Sequence, residues 1–216
     1  MLRYALAPVV PGAARAAGLP RTLPGADGVA ITFDDGPHPE GTPLMLEILA
    51  RAGHEATFFV IGEQVRRSPE LLREIADHGH TVALHGDRHR LQLRMTAAQV
   101  RADLERGRAT VEDTLGAQIT WHRPPYGIYS SAGLDAARAA GLEPLLWSRW
   151  GKDWRRLTTP RRIAARATRN LCAGDVILLH DADSYSARGS HRRTAAALQL
   201  IVAELDAREI ATVLPV

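Results

Sequence analysis

Cysteine, lysine and aromatic residues are scarce in this sequence. It has one cysteine, Cys172, one lysine, Lys152, and 5% aromatic residues. A single cysteine excludes an internal disulfide framework and a zinc site built from several cysteines. The few aromatic residues leave little material for the stacking surfaces with which proteins bind single-stranded nucleic acids. The sequence also lacks any run of about 18 apolar residues, which excludes a membrane-spanning helix.

The charged residues indicate an ordinary solvated surface. Lysine and arginine together number 27, and aspartate and glutamate 24, which gives a formal net charge of +3. Proteins that bind nucleic acids usually gather their basic residues into one stripe. Here paired arginines are spread along the chain among acidic residues, at positions 66–67, 155–156, 161–162 and 192–193. We therefore expect no nucleic-acid partner.

The chain has the length of one domain. Its 216 residues compare with roughly 100–200 residues for a typical domain, and no linker or repeat interrupts it after residue 29. In residues 1–28, Pro8, Pro11 and Gly12 break up an apolar stretch that would otherwise resemble a secretion signal. We predict a lead-in segment over 1–28, either packed on the domain or loose, and a single domain over 29–216.

Short apolar runs alternate with helical patterns from residue 29 onward. Near-continuous apolar strands are typical of a parallel sheet that is buried on both faces. Thr96 and Gln99 form a capping box at the start of one helical pattern. The strands are predicted at 29–33, 56–60, 80–84, 118–122, 143–148, 175–179 and 210–213, and the helices near 42–52, 69–78, 96–115, 130–140, 159–171 and 194–208.

This strict alternation predicts an α/β fold with a parallel sheet. Seven strands with short connections favour a distorted or incomplete (β/α)7 barrel in a single domain. A doubly wound open sheet is the alternative architecture.

Side chains capable of chemistry follow the predicted strands. In a β/α barrel the carboxyl ends of the strands meet at one face, so we expect these side chains to converge on one site. They are Asp34 and Asp35 after the first strand, His85 and His89 after the third, Arg123, Pro124 and Tyr126 after the fourth, Asp153 and Trp154 after the fifth, and Leu178 and His180 at the end of the sixth.

The spacing of two histidines suggests a metal site. His85 and His89 stand four residues apart, which on a helical turn would let both imidazoles reach one ion. With a carboxylate from Asp34 or Asp35 they would form an Asp–His–His set with open positions. That set suits Zn²⁺, with Co²⁺, Ni²⁺ or Fe²⁺ as alternatives. The Asp-Asp-Gly segment alone fits equally well a polar turn that caps the next helix.

Taken together, these segments resemble the metal-dependent polysaccharide deacetylases, carbohydrate esterase family 4, which share the NodB homology domain. The resemblance covers nearly all of residues 29–216 and includes the five family motifs in order. They correspond here to Thr-Phe-Asp-Asp-Gly-Pro at 32–37, His85 with His89, Arg-Pro-Pro-Tyr-Gly at 123–127, Asp-Trp at 153–154 and Leu-Leu-His at 178–180. The family fold is a distorted (β/α)7 barrel, which agrees with the predicted strands.

The resemblance implies a role for each of these residues. Asp34 would be the catalytic base, oriented by Arg123, and His180 the general acid, tuned by Asp153. The metal ligands would be Asp35, His85 and His89. The substrate-binding residues would be Tyr126, whose backbone N–H serves the oxyanion, together with Trp154, Leu178 and Pro124.

The implied activity is a metal-dependent hydrolysis. It removes N-acetyl, or alternatively O-acetyl, groups from a glycan or glycoside that contains amino sugars, so an N-acetylated carbohydrate is the expected partner. One alternative is a related barrel amidohydrolase that acts on a non-sugar amide or a cyclic imide. Another is an inactive carbohydrate-binding domain, which the presence of both Asp34 and His180 argues against.

Two positions depart from the family pattern. Gly86 stands where the family usually has serine or threonine after the first histidine, a hydroxyl that steadies the loop. Trp150 stands where the fourth motif usually has aspartate. With Trp147 and Trp154 nearby in the sequence, it predicts a more apolar pocket wall and affects the expected substrate more than the expected reaction.

Overall fold

The computed structural model describes residues 2–215, in which seven strands form one parallel sheet. Their order across the sheet is β5-β4-β3-β2-β1-β7-β6, and every pairing is parallel. The strands are β1 Ala30–Asp34, β2 Ala56–Ile61, β3 Thr81–Gly86, β4 Trp121–His122, β5 Glu143–Pro144, β6 Arg149–Trp150 and β7 Val176–His180.

The helices connect and cover these strands. They are α1 Leu2–Leu6, α2 Pro11–Ala17, α3 Gly41–Ala52, α4 Gly62–Arg67, α5 Pro69–Asp77, α6 Ala97–Leu115, α7 Ser131–Ala139, α8 Pro160–Ala167 and α9 Ser190–Ala207. The capping box predicted at Thr96 and Gln99 is present at the start of α6. Every residue of β1 and β2 is buried, as expected for strands covered on both faces. The predicted incomplete (β/α)7 barrel in one domain is confirmed.

The barrel is open between β5 and β6, the two edges of the sheet. The intervening residues bond first to one side of this opening and then to the other: Leu145 N–H donates to His122 O, and Ser148 N–H donates to Val176 O. The strand predicted over 143–148 is therefore two separate two-residue strands, β5 and β6. The bend arises because the segment has to cross from β4 to β7.

The N-terminal segment covers this opening. Leu146 N–H donates to Pro20 O at 2.8 Å, and Arg21 Nε donates to Trp147 O at 2.7 Å. Ala14 and Leu19 are buried in the same core as the sheet. Of the two arrangements expected for residues 1–28, the described part of the segment adopts the packed one.

The strand predicted at 210–213 is wrong. Only one bridge forms there, between Val29 and Thr212, although two hydrogen bonds join Val29 to Ala211 and Val213. From Ala30 and Ile31 onward both edges of β1 are already paired with β7 and β2, so the C-terminal segment has no free edge to follow.

Three helices were not predicted: α1, α2 and α4. Helix α4 has six residues and follows β2 with no intervening loop, so its sequence reads as a continuation of the strand. No helix within residues 2–215 is both long and apolar enough to cross a membrane.

Removing packing from the N-terminal segment should destabilise the barrel. Leu19 is 3% exposed, and truncating a buried leucine leaves a cavity. We expect Leu19→Ala to lower the free energy of unfolding by about 2–3 kcal/mol, measured by urea denaturation. Leu157→Ala, at a side chain that is 89% exposed, is the control. Equal stability of the two variants would mean that the segment does not support the fold.

Candidate active site

A cavity of roughly 220 Å³ lies at the carboxyl ends of the strands. Parallel strands bring their last residues to one face of a barrel, where loops of different connections meet. The residues that line it are Asp34, Asp35, His85, His89, Tyr126, Trp147, Trp150, Trp154, Leu178, His180, Tyr185 and Ser186. Eight of these twelve residues are site residues predicted from the sequence, and the other four are Trp147, Trp150, Tyr185 and Ser186.

Asp35, His85 and His89 meet on one side of the cavity. Asp35 Oδ1 lies 3.5 Å from His85 Nε2 and 3.4 Å from His89 Nε2. This oxygen is buried and accepts no hydrogen bond from the described residues. A buried carboxylate oxygen without a donor is costly unless a cation compensates it, so this group fits a divalent metal ion.

The tautomer and charge of both imidazoles suit a ligand role. His85 Nδ1 lies 2.7 Å from the carbonyl oxygen of Arg123, so Nδ1 carries the proton and donates it, and Nε2 keeps its lone pair. Burial lowers the pKa of His85 well below its usual value. Burial, with His85 and His180 nearby, lowers the pKa of His89 to about 3. Both rings are therefore neutral at pH 7.

A strand end and the loop after it, not a helical turn, bring the two histidines together. His85 belongs to β3, which ends at Gly86, and His89 lies in the following loop. The predicted helical turn is wrong, yet the ring centroids are 5.6 Å apart. The loop is steadied by Asp103 of α6, whose Oδ2 accepts a hydrogen bond from Asp87 N–H.

Gly86 explains why the loop uses Asp103 rather than a local hydroxyl. Gly86 has φ +113°, a backbone conformation that glycine adopts readily and other residues rarely do. A Cβ at this position would also lie 3.3 Å from Asp103 Oδ2. The sequence pattern alone contains no signal for Asp103, which is 16 residues away from its partner.

Asp34 forms a buried ion pair with Arg123. Arg123 Nη1 donates to Asp34 Oδ1 at 2.7 Å, and the arginine side chain is fully buried. Burial raises the pKa of Asp34, although the charge and hydrogen bond of Arg123 act in the opposite direction. Asp34 is thus a carboxylate of increased basicity that is held in one orientation.

At the end of β7, where His180 pairs in register with Asp34 of β1, Asp153 holds His180. Asp153 Oδ1 lies 3.0 Å from His180 Nδ1, and its Oδ2 accepts from His180 N–H and from the Thr194 hydroxyl. Burial by itself disfavours the imidazolium, but Asp153, with Asp35 and Asp34 nearby, raises the pKa of His180 to about 10. His180 therefore carries a proton at neutral pH and directs Nε2 away from Asp153.

Comparison with known proteins identifies the family. Residues 23–145 match the family model described as polysaccharide deacetylase. A peptidoglycan-N-acetylglucosamine deacetylase of Bacillus cereus is 34% identical over 179 residues, 82% of this chain and 81% of that protein. A chitooligosaccharide deacetylase of Azorhizobium caulinodans is 33% identical over 192 residues, 85% of this chain and 90% of that protein. The chain belongs to the polysaccharide deacetylase family.

A solved structure extends the similarity to the fold of this family. A family 4 carbohydrate esterase from Streptomyces lividans, in complex with acetate, aligns with a TM-score of 0.78 at 28% identity. The alignment covers 88% of this chain and 93% of that one. The fold is therefore shared with a family 4 carbohydrate esterase.

Tryptophans form one wall of the cavity. The ring centroids of Trp147 and Trp150 are 5.8 Å apart, and those of Trp150 and Trp154 are 5.4 Å apart. Trp154 also meets the ring of His180 edge-on at 5.5 Å. Leu178 lines the cavity beside them. The apolar wall expected from Trp150 is present.

The segment after β4 contributes in two ways. Tyr126 lines the cavity, is 54% exposed, and has φ +63°, a strained conformation that is common at functional sites of proteins. Pro124 is buried and does not line the cavity. Its carbonyl accepts from Gly127 N–H. Pro124 therefore shapes the turn and is not positioned for direct substrate contact.

Tyr185 is a cavity residue that sequence reasoning missed. Its ring stacks on His89 with centroids 4.3 Å apart and an angle of 12° between planes, and its hydroxyl accepts from Gln64 Nε2. The only sequence signal was its place in a polar loop after β7. Tyr185 both packs against the His89 ring and lines the cavity.

A second cluster, His38, Asp183 and His191, lies close enough to resemble a metal site. His38 Nδ1 accepts from the backbone N–H groups of Glu40 and Gly41. In the neutral ring the proton is then on Nε2, which faces Asp183 at 3.3 Å. This contact joins the segment after β1 to the loop after β7.

Breaking the buried ion pair should have a large effect on stability. Arg123→Leu leaves Asp34 charged and unpaired in the interior, which costs about 3–5 kcal/mol. Chemical denaturation measures this loss, and we expect the double variant Arg123→Leu with Asp34→Leu to recover part of it. The exposed pair of Arg192 with Glu40 supplies the control, since Arg192→Leu should leave the midpoint unchanged. Equal effects at both arginines would contradict a structural role for the buried pair.

Proposed function

We propose that this protein hydrolyses the N-acetyl groups of amino sugars in a glycan and releases acetate. The observation that supports it best is one cavity that contains a three-residue ligand group, a basic carboxylate and a protonated imidazole, each held by its own buried partner. The similarity to deacetylases that act on peptidoglycan and on chitooligosaccharides, by name, supports the same substrate class.

Asp35, His85 and His89 would hold the metal ion. Their donor atoms suit Zn²⁺, with Co²⁺, Ni²⁺ and Fe²⁺ as alternatives. A divalent ion bound there would act as a Lewis acid on the acetyl carbonyl and on the attacking water. Its charge would also stabilise the ionised form of Asp35. Without the ion, burial and the nearby charge of Asp34 raise the pKa of Asp35 to about 7, although the charge of His180 acts in the opposite direction.

Asp34 accepts a proton from the attacking water while the water oxygen forms a bond to the acetyl carbon. Arg123 holds one carboxylate oxygen, and the other, Oδ2, lies 3.7 Å from His85 Nε2, on the side of the proposed metal ligands. The base is thus adjacent to the place where water is activated. A general base of this kind contributes roughly 10²–10⁴-fold to rate.

His180 gives its proton to the nitrogen that leaves. The C–N bond breaks as nitrogen takes this proton, which gives acetic acid and an amine. The acid then transfers its proton to the amine, so the final products are acetate and an ammonium group, while Asp34 releases a proton to solvent and His180 regains one. The general base and the general acid need different pKa values. Arg123 beside Asp34 and Asp153 beside His180 supply these opposite charges. The Tyr126 backbone N–H serves the oxyanion, and Leu178 with Trp154 packs around the acetyl methyl.

Acetate release from N-acetylated oligosaccharides tests the proposed activity. We expect zinc-loaded protein to release acetate from a chitooligosaccharide, and Asp34→Asn to lose turnover while binding zinc normally. His89→Ala should lose both, because it removes a ligand. His191→Ala, in the second histidine cluster, is the matched control and should keep its zinc by elemental analysis. If the protein hydrolysed a cyclic imide but released acetate from no acetylated sugar, the alternative activity on a non-sugar amide would be favoured instead.

The acid is tested by its pH dependence. His180→Ala should lower kcat by roughly 10²–10⁴-fold. Asp153 raises the pKa of His180, so Asp153→Asn should lower that pKa and move the alkaline limb of the kcat profile to lower pH while the acidic limb stays in place. An unchanged alkaline limb in Asp153→Asn would remove His180 from the role of acid.

A further inference from the structure

A second cleft lies between the N-terminal segment and the edge of the sheet at β6, beside the start of β7. Its volume is roughly 470 Å³, which is within the range of small-molecule binding sites. Residues from 11–24 line it together with Ser148, Arg149 and Asp175. None of these residues lines the active-site cavity. We call this second cleft the N-terminal cleft.

Arg21 lines this cleft as a cation without a counter-charge. Its Nε donates to Trp147 O at 2.7 Å, but its Nη1 is buried and has no hydrogen-bond partner among the described residues. Burial lowers the pKa of Arg21, and no carboxylate in the described part of the chain lies within 4.0 Å of its side chain. A buried donor of a charged group is costly without an acceptor, so this guanidinium suits an anionic ligand.

The other charged residues of the cleft do not neutralise Arg21. Asp175 has its own partners, because its Oδ1 accepts from the Ser148 hydroxyl at 2.6 Å and its Oδ2 accepts from Arg149 Nε at 2.9 Å. Arg15 is exposed, and its side chain forms no hydrogen bond or ion pair with any described residue. The N-terminal cleft therefore has three guanidinium groups and a single carboxylate.

The backbone around Arg21 is fixed to the sheet on both sides. Before it in the chain, Pro20 O accepts from Leu146 N–H at 2.8 Å, and after it Leu23 N–H donates to Gly174 O at 2.8 Å. Its own Nε is held by Trp147 O. A side chain that is already held in place loses less conformational freedom when it binds a ligand, so Arg21 is preorganised for binding.

The rest of the cleft is largely apolar. Its apolar lining consists of Pro11, Ala14, Leu19, Pro20 and Pro24. Apolar surfaces of this kind bind hydrocarbon groups, because water is released from both. An inorganic anion would contact only the guanidinium groups of the cleft, whereas an anion attached to an apolar body would contact both kinds of lining.

We propose that the N-terminal cleft is a second binding site, separate from the active site, for an amphiphilic anion: a carboxylate or phosphate group carried on an apolar chain or ring. Arg21, with Arg15 beside the same cleft, pairs with the oxyanion, because guanidinium groups match the oxygens of both carboxylate and phosphate. The apolar body lies along the proline-rich lining. This site does not depend on the proposed deacetylase function.

Calorimetric titration of the full chain with four small probes tests this site. Octanoate and octyl phosphate carry the two kinds of oxyanion on an apolar chain, and they distinguish carboxylate from phosphate. Octanamide is the neutral match for octanoate, and inorganic phosphate is an anion without an apolar body. The titrations use metal-free protein, because an anion could otherwise bind to a metal ion in the active site, and probe concentrations below those at which micelles form.

We expect octanoate or octyl phosphate to bind roughly tenfold more tightly than octanamide and than inorganic phosphate. Arg21→Gln should weaken binding of the anionic amphiphile roughly tenfold, and Arg15→Gln roughly threefold. Arg101→Gln removes the same charge from an exposed position on α6 and should have no effect. Trp150→Leu alters the active-site cavity and should also leave this affinity unchanged.

Several results would overturn the proposed site. Equal affinity for octanamide and the anionic amphiphiles would remove the role of charge, and equal affinity for inorganic phosphate would remove the role of the apolar lining. Loss of binding in Trp150→Leu would assign the anion to the active site, and equal effects of Arg15→Gln and Arg101→Gln would place it outside the cleft. Because the Arg15 side chain has no bond to any described residue, its variant decides the question even if Arg21→Gln does not fold.

Discussion

One buried guanidinium links the sheet to the active site. Arg123 bonds to Asp34 and to Thr32 of β1, while its Nε and Nη2 donate to the carbonyls of Leu145 and Leu146 in the bent segment between β5 and β6. Its own carbonyl fixes the tautomer of His85. A charge with no access to water is stable only when its donors are satisfied. These contacts therefore constrain the proposed base, a candidate metal ligand and the segment between β5 and β6 together.

The cavity then separates its charges by pairing each with a fixed opposite charge. Asp34 with Arg123 and His180 with Asp153 are two pairs at the ends of the adjacent strands β1 and β7, and Asp35 beside Asp34 has a buried carboxylate oxygen that accepts no hydrogen bond from the described residues. The low-dielectric surroundings strengthen each pair and make an unpaired group costly. Burial keeps the two histidines neutral and leaves Asp35 without a compensating donor, and both effects suit the site to a cation.

Much of the architecture could be predicted because it rests on short-range patterns. Burial on both faces makes β1 and β2 continuous apolar runs, and capping chemistry sets the start of α6 at Thr96. Predictions failed where a segment's partner is distant in sequence. The bend within 143–148 and the missing strand at 210–213 depend on which edges β4, β7 and β1 leave free. Helix α4 was not predicted because no loop separates it from β2.

Residue types and their positions after strands were enough to identify the family motifs and to expect one site. The sequence by itself thus determined which side chains meet at one site, because these groups follow strands whose ends must coincide in a parallel barrel. Only the tertiary structure decided how they are held: Asp103 steadies the histidine loop, Tyr185 stacks on His89, and Pro124 stays beneath the surface. These contacts join residues far apart in the chain, and packing in three dimensions, not local pattern, selects them.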